Sequence, residues 1–518
     1  MAKIGTQRVK TGCTTCKIRR IKCDEARPSC ARCISTGRKC DGYVLPPTTT
    51  YSWAQLLRSC PLQNTSSIRA AQPSKASRVH AERAMDYYRK VTAPQFSGSL
   101  NSYFWSNVVV QMSDQEPVAS HAVLALSSIY ETFRQGSHEA SSFAVWHYNE
   151  AIKLLRTTTD RALILFVCIL FICIELLRRN PKDAIAHCRH GINILNEIHN
   201  ESDFLRNHIT PVIRQLSVAP YHYGVNPATF PTVRKPLPTA TQRLQNVAEA
   251  HARLLTIHVR LARYVESVNE RRLETGQEGP EPGARWTGQF IQVDLDAWYK
   301  AYRELKKEER YTSREEEMMR LLDIRYLVTK ITLLTSYNSG QGECANDEHI
   351  DKFRAIVVLA SQAEDSSESS PKSTSSSTSS SKSSAGWATD SALELGYSSL
   401  LFVVAAKCRR LKLRLEALRL MKKLMVPSRN IWEKALTWRI AQRVIELEHE
   451  ITLDDETDLD ALVSADEGEF VPEERRVINI EFRWPPDTTI PPRRSVMFFT
   501  RDGVTGETKA REEFLIAQ

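Results

Sequence analysis

The first 43 residues contain no histidine, and no apolar run opens the chain. The start, MAKIGTQRVK, is polar and basic, so a secretory leader is not expected. A membrane span needs roughly 20 apolar residues. The run Ala162 to Ile174 offers thirteen before Glu175 interrupts it, and reads as a buried central helix instead. The chain also lacks a Gly-rich phosphate loop, a Gly-x-Ser-x-Gly elbow and a His-Glu-x-x-His pair. An enzyme is therefore not expected. Residues 44 to 79 hold no sustained heptad of apolar residues, so they give no support for a coiled-coil dimer.

What the N-terminus does have is cysteine. Six fall in forty residues: Cys13, Cys16, Cys23, Cys30, Cys33 and Cys40. The unit Cys-x2-Cys-x6-Cys occurs twice. Two thiols two residues apart are the usual bite for tetrahedral zinc. Two tetrahedral ions need eight sulfur positions, so six thiolates suffice only if two are shared. By the internal repeat, the shared pair is Cys13 and Cys30. With no histidine present, two independent zinc sites cannot be completed here. The other six cysteines stand singly and read as reduced interior thiols.

Charge is concentrated in the same segment. Residues 1 to 43 carry eleven basic and three acidic residues, whereas the remaining 475 carry 59 and 58. Six thiolates with two zinc ions add about −2, which leaves a clear positive excess. Such a localised excess is a footprint for a polyanion. Placed on a helix, Lys17, Arg19 and Arg20 share one arc, while Ile18 and Ile21 share another. The isoleucines are expected to pack inward, away from the basic arc. The basic arc is then free to enter a major groove, where arginine can donate to guanine O6 and N7.

The run TGCTTCKIRRIKCDEARPSCARCISTGRKCDGY resembles the zinc binuclear cluster of fungal transcription factors of the galactose-regulator type. The resemblance covers residues 12 to 43 without a gap. It implies two short helices, each opening at a Cys-x2-Cys pair, and a loop that turns at Pro28. It also implies two zinc ions, double-stranded DNA as partner, and a CGG triplet read in the major groove. Arg20 is then the principal base reader, with Arg19 assisting. Lys17, Lys22, Arg38 and Lys39 are candidates for phosphate contacts, which set register without reading sequence.

The expected organisation has four parts: a cluster domain at 1–43, a linker at 44–79, a helical body at 80–450 and a C-terminal segment at 451–518. The body reads as all-α, with Ser113 and Glu116 as a capping box and helices at 143–155, 162–177, 183–198, 241–271, 295–307, 313–336, 389–425 and 429–450. The segments AERAMDYYRKVTAP, HYNEAIKLL and LFICIELLRRNPKDAIAHCRHGINIL are similar to the fungal-specific regulatory region behind such clusters. That similarity spans roughly 82 to 199. It implies regulation and contact with the transcription machinery or co-regulators, in the nucleus, rather than catalysis. Monomer binding and a homodimer through the large domain both stay open. His187, Cys188 and His190 only partly share a helix face and are not expected to bind metal. Residues 365 to 386 are mostly serine and are expected to be a disordered insertion. Residues 454 to 474 hold ten acidic residues and no basic one, and read as an activation segment or a solvated loop. The tail changes period and suggests short strands at 477–484 and 495–500.

Overall fold

In a computed structural model the chain divides into two compact units, Met1–Gln72 and Pro73–Gln518. The structure describes residues 13, 15–16, 19, 21, 23–24, 26, 29–40, 75–97, 101–136, 141–235, 243–275, 282–307, 311–337, 339–368, 396–424, 434–454, 457, 459, 470–483, 495–502 and 505–514. Lys17, Arg20, Lys22 and Pro28 lie outside the described residues. So do the linker up to residue 74, most of the Ser-rich insertion and most of the acidic segment.

In the first unit, Thr15 and Cys16 are helical and α1 spans Ala31–Ser35. Its buried centre is sulfur rather than hydrocarbon: Cys13, Cys16, Cys30 and Cys33 are fully buried, with Cys23 and Cys40 packed against them.

The second unit opens with α2, Lys75–Tyr87, which takes in the last five residues of the expected linker. Next come α3 (Pro117–Arg134), α4 (Ser142–Leu155), α5 (Arg161–Leu177) and α6 (Pro181–Glu197). Helix α5 is apolar all round and packs against both α3 and α6, burying Leu163 and every residue from Leu165 to Leu177. Asp160 starts it by accepting from the Ala162 N–H at 2.8 Å, and Arg179 ends it at φ 55°. Glu175 is the exception inside this apolar helix, and its partners explain it. Its carboxylate accepts from Tyr148 Oη (2.6 Å), Arg178 Nη1 (2.9 Å) and Asn180 Nδ2 (2.8 Å). Among the described residues no helix is long and apolar enough to cross a membrane.

The capping box is a misreading. Ser113 sits inside a preceding helix, Val109–Gln115, where its hydroxyl donates to Val110 O at 2.7 Å. Helix α3 begins instead at Pro117, whose missing N–H costs nothing at a helix start, and Glu116 makes no side-chain cap.

Seven more helices follow: α7 (Val247–Thr275), α8 (Pro282–Leu305), α9 (Ser313–Tyr337), α10 (Ile350–Glu368), α11 (Gly396–Lys407), α12 (Leu411–Lys423) and α13 (Lys434–His449). They share a core running from Leu244 to Leu453. Indole donors fix their registers: Trp298 Nε1 donates to Ala250 O at 2.9 Å and Trp438 Nε1 to Leu418 O at 3.0 Å. Helix α10 is not anticipated from the sequence, and α8 starts thirteen residues before its expected onset. The expected helix at 389–425 is two helices, α11 and α12, parted at residues 408–410.

The tail forms one antiparallel sheet in the order β1 (Asn479–Arg483), β2 (Ser495–Arg501), β3 (Thr508–Phe514). Asn479 pairs with Phe499 and Ser495 with Phe514. Val496 and Phe498 of β2 are buried against Leu436, Ile440 and Val444 of α13. β3, with sequence TKAREEF, is almost wholly exposed. Gly506, at φ 70°, supplies the left-handed residue of the β2–β3 turn, and Asp502 Oδ1 accepts from the Thr505 N–H at 2.8 Å.

Candidate metal centre and nucleic-acid interface

The six cysteines of the first unit converge. The sulfurs of Cys13, Cys16, Cys23 and Cys30 lie within 4.8 Å of one another, as do those of Cys13, Cys30, Cys33 and Cys40. Cys13 and Cys30 belong to both groups. Their sulfurs are 3.6 Å apart, with Cys13–Cys33 at 3.8 Å and Cys16–Cys30 at 3.7 Å. Sulfurs on one tetrahedral zinc, at Zn–S bonds of about 2.3 Å, stand about 3.8 Å apart. The donor set therefore fits two four-sulfur sites that share an edge.

Electrostatics point the same way. Burial pushes the thiols of Cys13, Cys16, Cys30 and Cys33 above their ordinary value. Buried thiols cannot ionise together unless positive charge is placed among them, and divalent cations supply it. Backbone donors help to hold the sulfurs: Cys16 N–H points to Cys13 Sγ at 3.4 Å, and Cys33 N–H to Cys30 Sγ at 3.3 Å. The same contact repeats at the start of both halves, as the Cys-x2-Cys repeat requires.

Two features hold the ends of α1. Asp24 accepts from the Ala31 N–H (2.9 Å) and the Arg32 N–H (3.2 Å), satisfying two orphan donors of the first turn. Those two bonds lower its carboxyl pKa. At the other end Gly37 N–H donates to Ile34 O (2.9 Å) and Arg38 N–H to Cys33 O (3.0 Å). This is a Schellman close, with Gly37 at φ 64°. A glycine after a short helix is a readable stop signal, whereas Asp24 seven residues upstream carries no sequence cue. A β-carbon at Gly37 would meet nothing within 4 Å, so only the backbone cost applies. Gly37→Ala should therefore cost about 1 kcal/mol. The variant should release zinc at roughly fivefold lower chelator concentration than the parent.

The basic residues are placed unequally. Arg19 is half-buried and its Nη1 donates to Thr36 Oγ1, 3.3 Å away, just beyond α1. Thr36 Oγ1 in turn donates to Arg32 O at 2.9 Å. Arg38 and Lys39 are exposed. Of the two isoleucines expected to pack inward, Ile21 is 40% exposed and Ile18 lies outside the described residues. His187 lies against the Phe171 ring at 5.5 Å, and Cys188 Sγ points to Leu216 O at 3.7 Å. Both are core contacts.

Residues 11–49 match the family described as fungal Zn(2)-Cys(6) binuclear cluster domain. Residues 83–216 match the fungal specific transcription factor domain. The chain carries a fungal Zn(2)-Cys(6) binuclear cluster domain and a fungal specific transcription factor domain. A Zn(2)-Cys(6) cluster holds two zinc ions, the number that the paired sulfur groups accommodate. The chain is 25% identical over 406 residues to the aspercryptin biosynthesis cluster-specific transcription regulator atnN of Emericella nidulans, covering 68% of this chain and 64% of that one. It is 31% identical over 173 residues to an uncharacterized transcriptional regulatory protein of Schizosaccharomyces pombe, covering 31% of this chain and 30% of that one. The transcriptional regulatory protein moc3 of the same yeast is 34% identical over 114 residues, 22% of this chain and 20% of its own length. The chain thus spans less than two thirds of the length of each of these relatives. No solved structure matches it.

Proposed function

We propose that this Zn(2)-Cys(6) protein is a nuclear, sequence-specific DNA-binding regulator of RNA polymerase II transcription that reads CGG-like triplets in the major groove. One observation carries the reading: the eleven-to-three excess of basic residues sits on the segment that holds the sulfur knot. Cys13, Cys16, Cys23, Cys30, Cys33 and Cys40 hold two zinc ions, with Cys13 and Cys30 bridging. The zinc pair supplies the folding energy that so small a module cannot draw from a hydrocarbon core. Arg20 reads bases and Arg19 assists. The Arg19 bond to Thr36 favours an assisting role, because it commits part of the guanidinium to the protein. Lys17, Lys22, Arg38 and Lys39 contact phosphates, and Pro28 turns the loop before Cys30. The cluster domain is 1–43, the linker 44–79, and the helical body that meets co-regulators 80–450.

Gel-shift titration of the zinc-loaded full chain on duplexes with and without CGG tests this. Arg20→Ala should cost about 1–3 kcal/mol on the CGG duplex and leave binding to random duplex nearly unchanged. Lys39→Ala should weaken both duplexes alike and reduce the salt slope by about one. Equal loss on both duplexes for Arg20→Ala would remove it as the reader. No zinc-dependent preference for any duplex would sink the DNA reading altogether.

A further inference from the structure

The Cys-x2-Cys-x6-Cys repeat gives Arg19 and Thr36 the same place, six residues after Cys13 and Cys30 respectively. The two side chains meet across the cluster. Arg19 Nη1 donates to Thr36 Oγ1 at 3.3 Å. Thr36 Oγ1 in turn donates to Arg32 O at 2.9 Å, with Cys33 O also in reach at 3.1 Å. Thr36 is the C-cap of α1, and its own N–H donates to Cys33 O at 3.3 Å. Its hydroxyl proton is therefore committed to the end of α1, which leaves a lone pair facing the guanidinium. A second hydrogen bond also crosses between the repeats, from Thr15 Oγ1 to Lys39 O at 3.5 Å. Among the described residues the Arg19 guanidinium has no other hydrogen bond. A guanidinium is a rigid planar fork, so fixing one nitrogen aims the others. An untied arginine loses rotamer freedom when it docks on a duplex, whereas one already held has less to lose.

We infer that Thr36 is a positioning residue for DNA binding, which holds the Arg19 guanidinium so that its remaining donors meet the duplex already aimed. This rests on the reading of Arg19 as a DNA contact given above. Thr36 acts through Arg19, and each repeat thereby contributes to one contact: the first supplies the cation, the second its support.

A double-mutant cycle tests this, by gel-shift titration of the zinc-loaded full chain on the CGG duplex. Thr36→Val keeps the side-chain shape and removes the hydroxyl. It should weaken binding about three- to tenfold. The variant should keep both zinc ions, because Thr36 is not among the grouped ligands. In an Arg19→Ala background the same substitution should change binding by less than about twofold. Thr36→Ser keeps the hydroxyl and should bind within about twofold of the parent. Equal losses from Thr36→Val with and without Arg19, or loss of zinc from that variant, would show a merely structural role and overturn the assignment. An unaffected Thr36→Val protein, or a Thr36→Ser protein as weak as it, would do the same. A parent chain with no zinc-dependent duplex preference marks failure of the DNA reading itself. A parent that binds but shows no coupling between the two positions sinks only the role of Thr36.

Discussion

Cys30→Ser is expected to take the zinc content of the purified protein from two ions to none. Cys30 lies in both four-sulfur groups, so its loss leaves each one ligand short. Cys13→Ser should do the same. Cys40→Ser removes a ligand from one group only, and should leave about one ion per chain. The graded pattern separates bridging from terminal cysteines better than any single variant. Elemental analysis of the purified proteins gives the count. Binding to the specific duplex should fall with it, to the non-specific level, about 10³-fold or more weaker for Cys30→Ser. Equal zinc loss in the Cys30 and Cys40 variants would refute the shared edge.

The second large effect is expected far from the metal, in the helical body. Glu448 of α13 is fully buried. Its Oε2 accepts from Arg414 Nη1 at 2.5 Å and faces Arg409 Nε at 3.3 Å, while Oε1 accepts from the Val477 N–H at 2.7 Å. Burial alone would raise this carboxyl, but Arg414, Arg409 and the Val477 N–H together bring it below the ordinary value. Removing the carboxylate leaves two buried guanidinium groups facing each other. Glu448→Ala should therefore cost about 3–5 kcal/mol in urea unfolding at pH 7. The sign with pH follows from linkage. A depressed carboxyl stabilises the fold above its unfolded pKa, and that contribution is lost as pH falls through the lower folded value. The gap between wild type and variant should accordingly narrow below about pH 4.5, the ordinary glutamate value. By contrast, removing the exposed Arg83–Glu131 pair should change stability by about 0–1 kcal/mol. Comparable losses at the two pairs would show that the buried network carries no special weight.

The cluster was legible because its spacing is stoichiometric: six fixed cysteines and no histidine leave one way to build two sites. The α1 caps were half legible, since Gly37 is a stop signal but Asp24 acts through tertiary approach. Helix α8 hid its first half for a physical reason. Trp286, Phe290 and Val293 are each more than 60% exposed there, so apolar residues stand on the solvent face and blur the amphipathic pattern. Helix α10 runs four residues into the stretch 365–386 expected to be disordered, ending at Glu368. The third strand was illegible for a related reason. TKAREEF has poor strand propensity and exists because β2 offers it a hydrogen-bonded partner, with Arg443 Nε donating to Glu513 Oε2 at 2.7 Å.

That last strand has a consequence for behaviour in crowded solution. An unpaired sheet border is a template on which a neighbouring molecule can add its own strand, the first step towards fibres. Among the described residues that border carries Lys509, Arg511 and Glu512, all exposed. Burying these charges against a second copy would strip them of water, so the border resists accretion while the sheet beneath keeps its grip on α13.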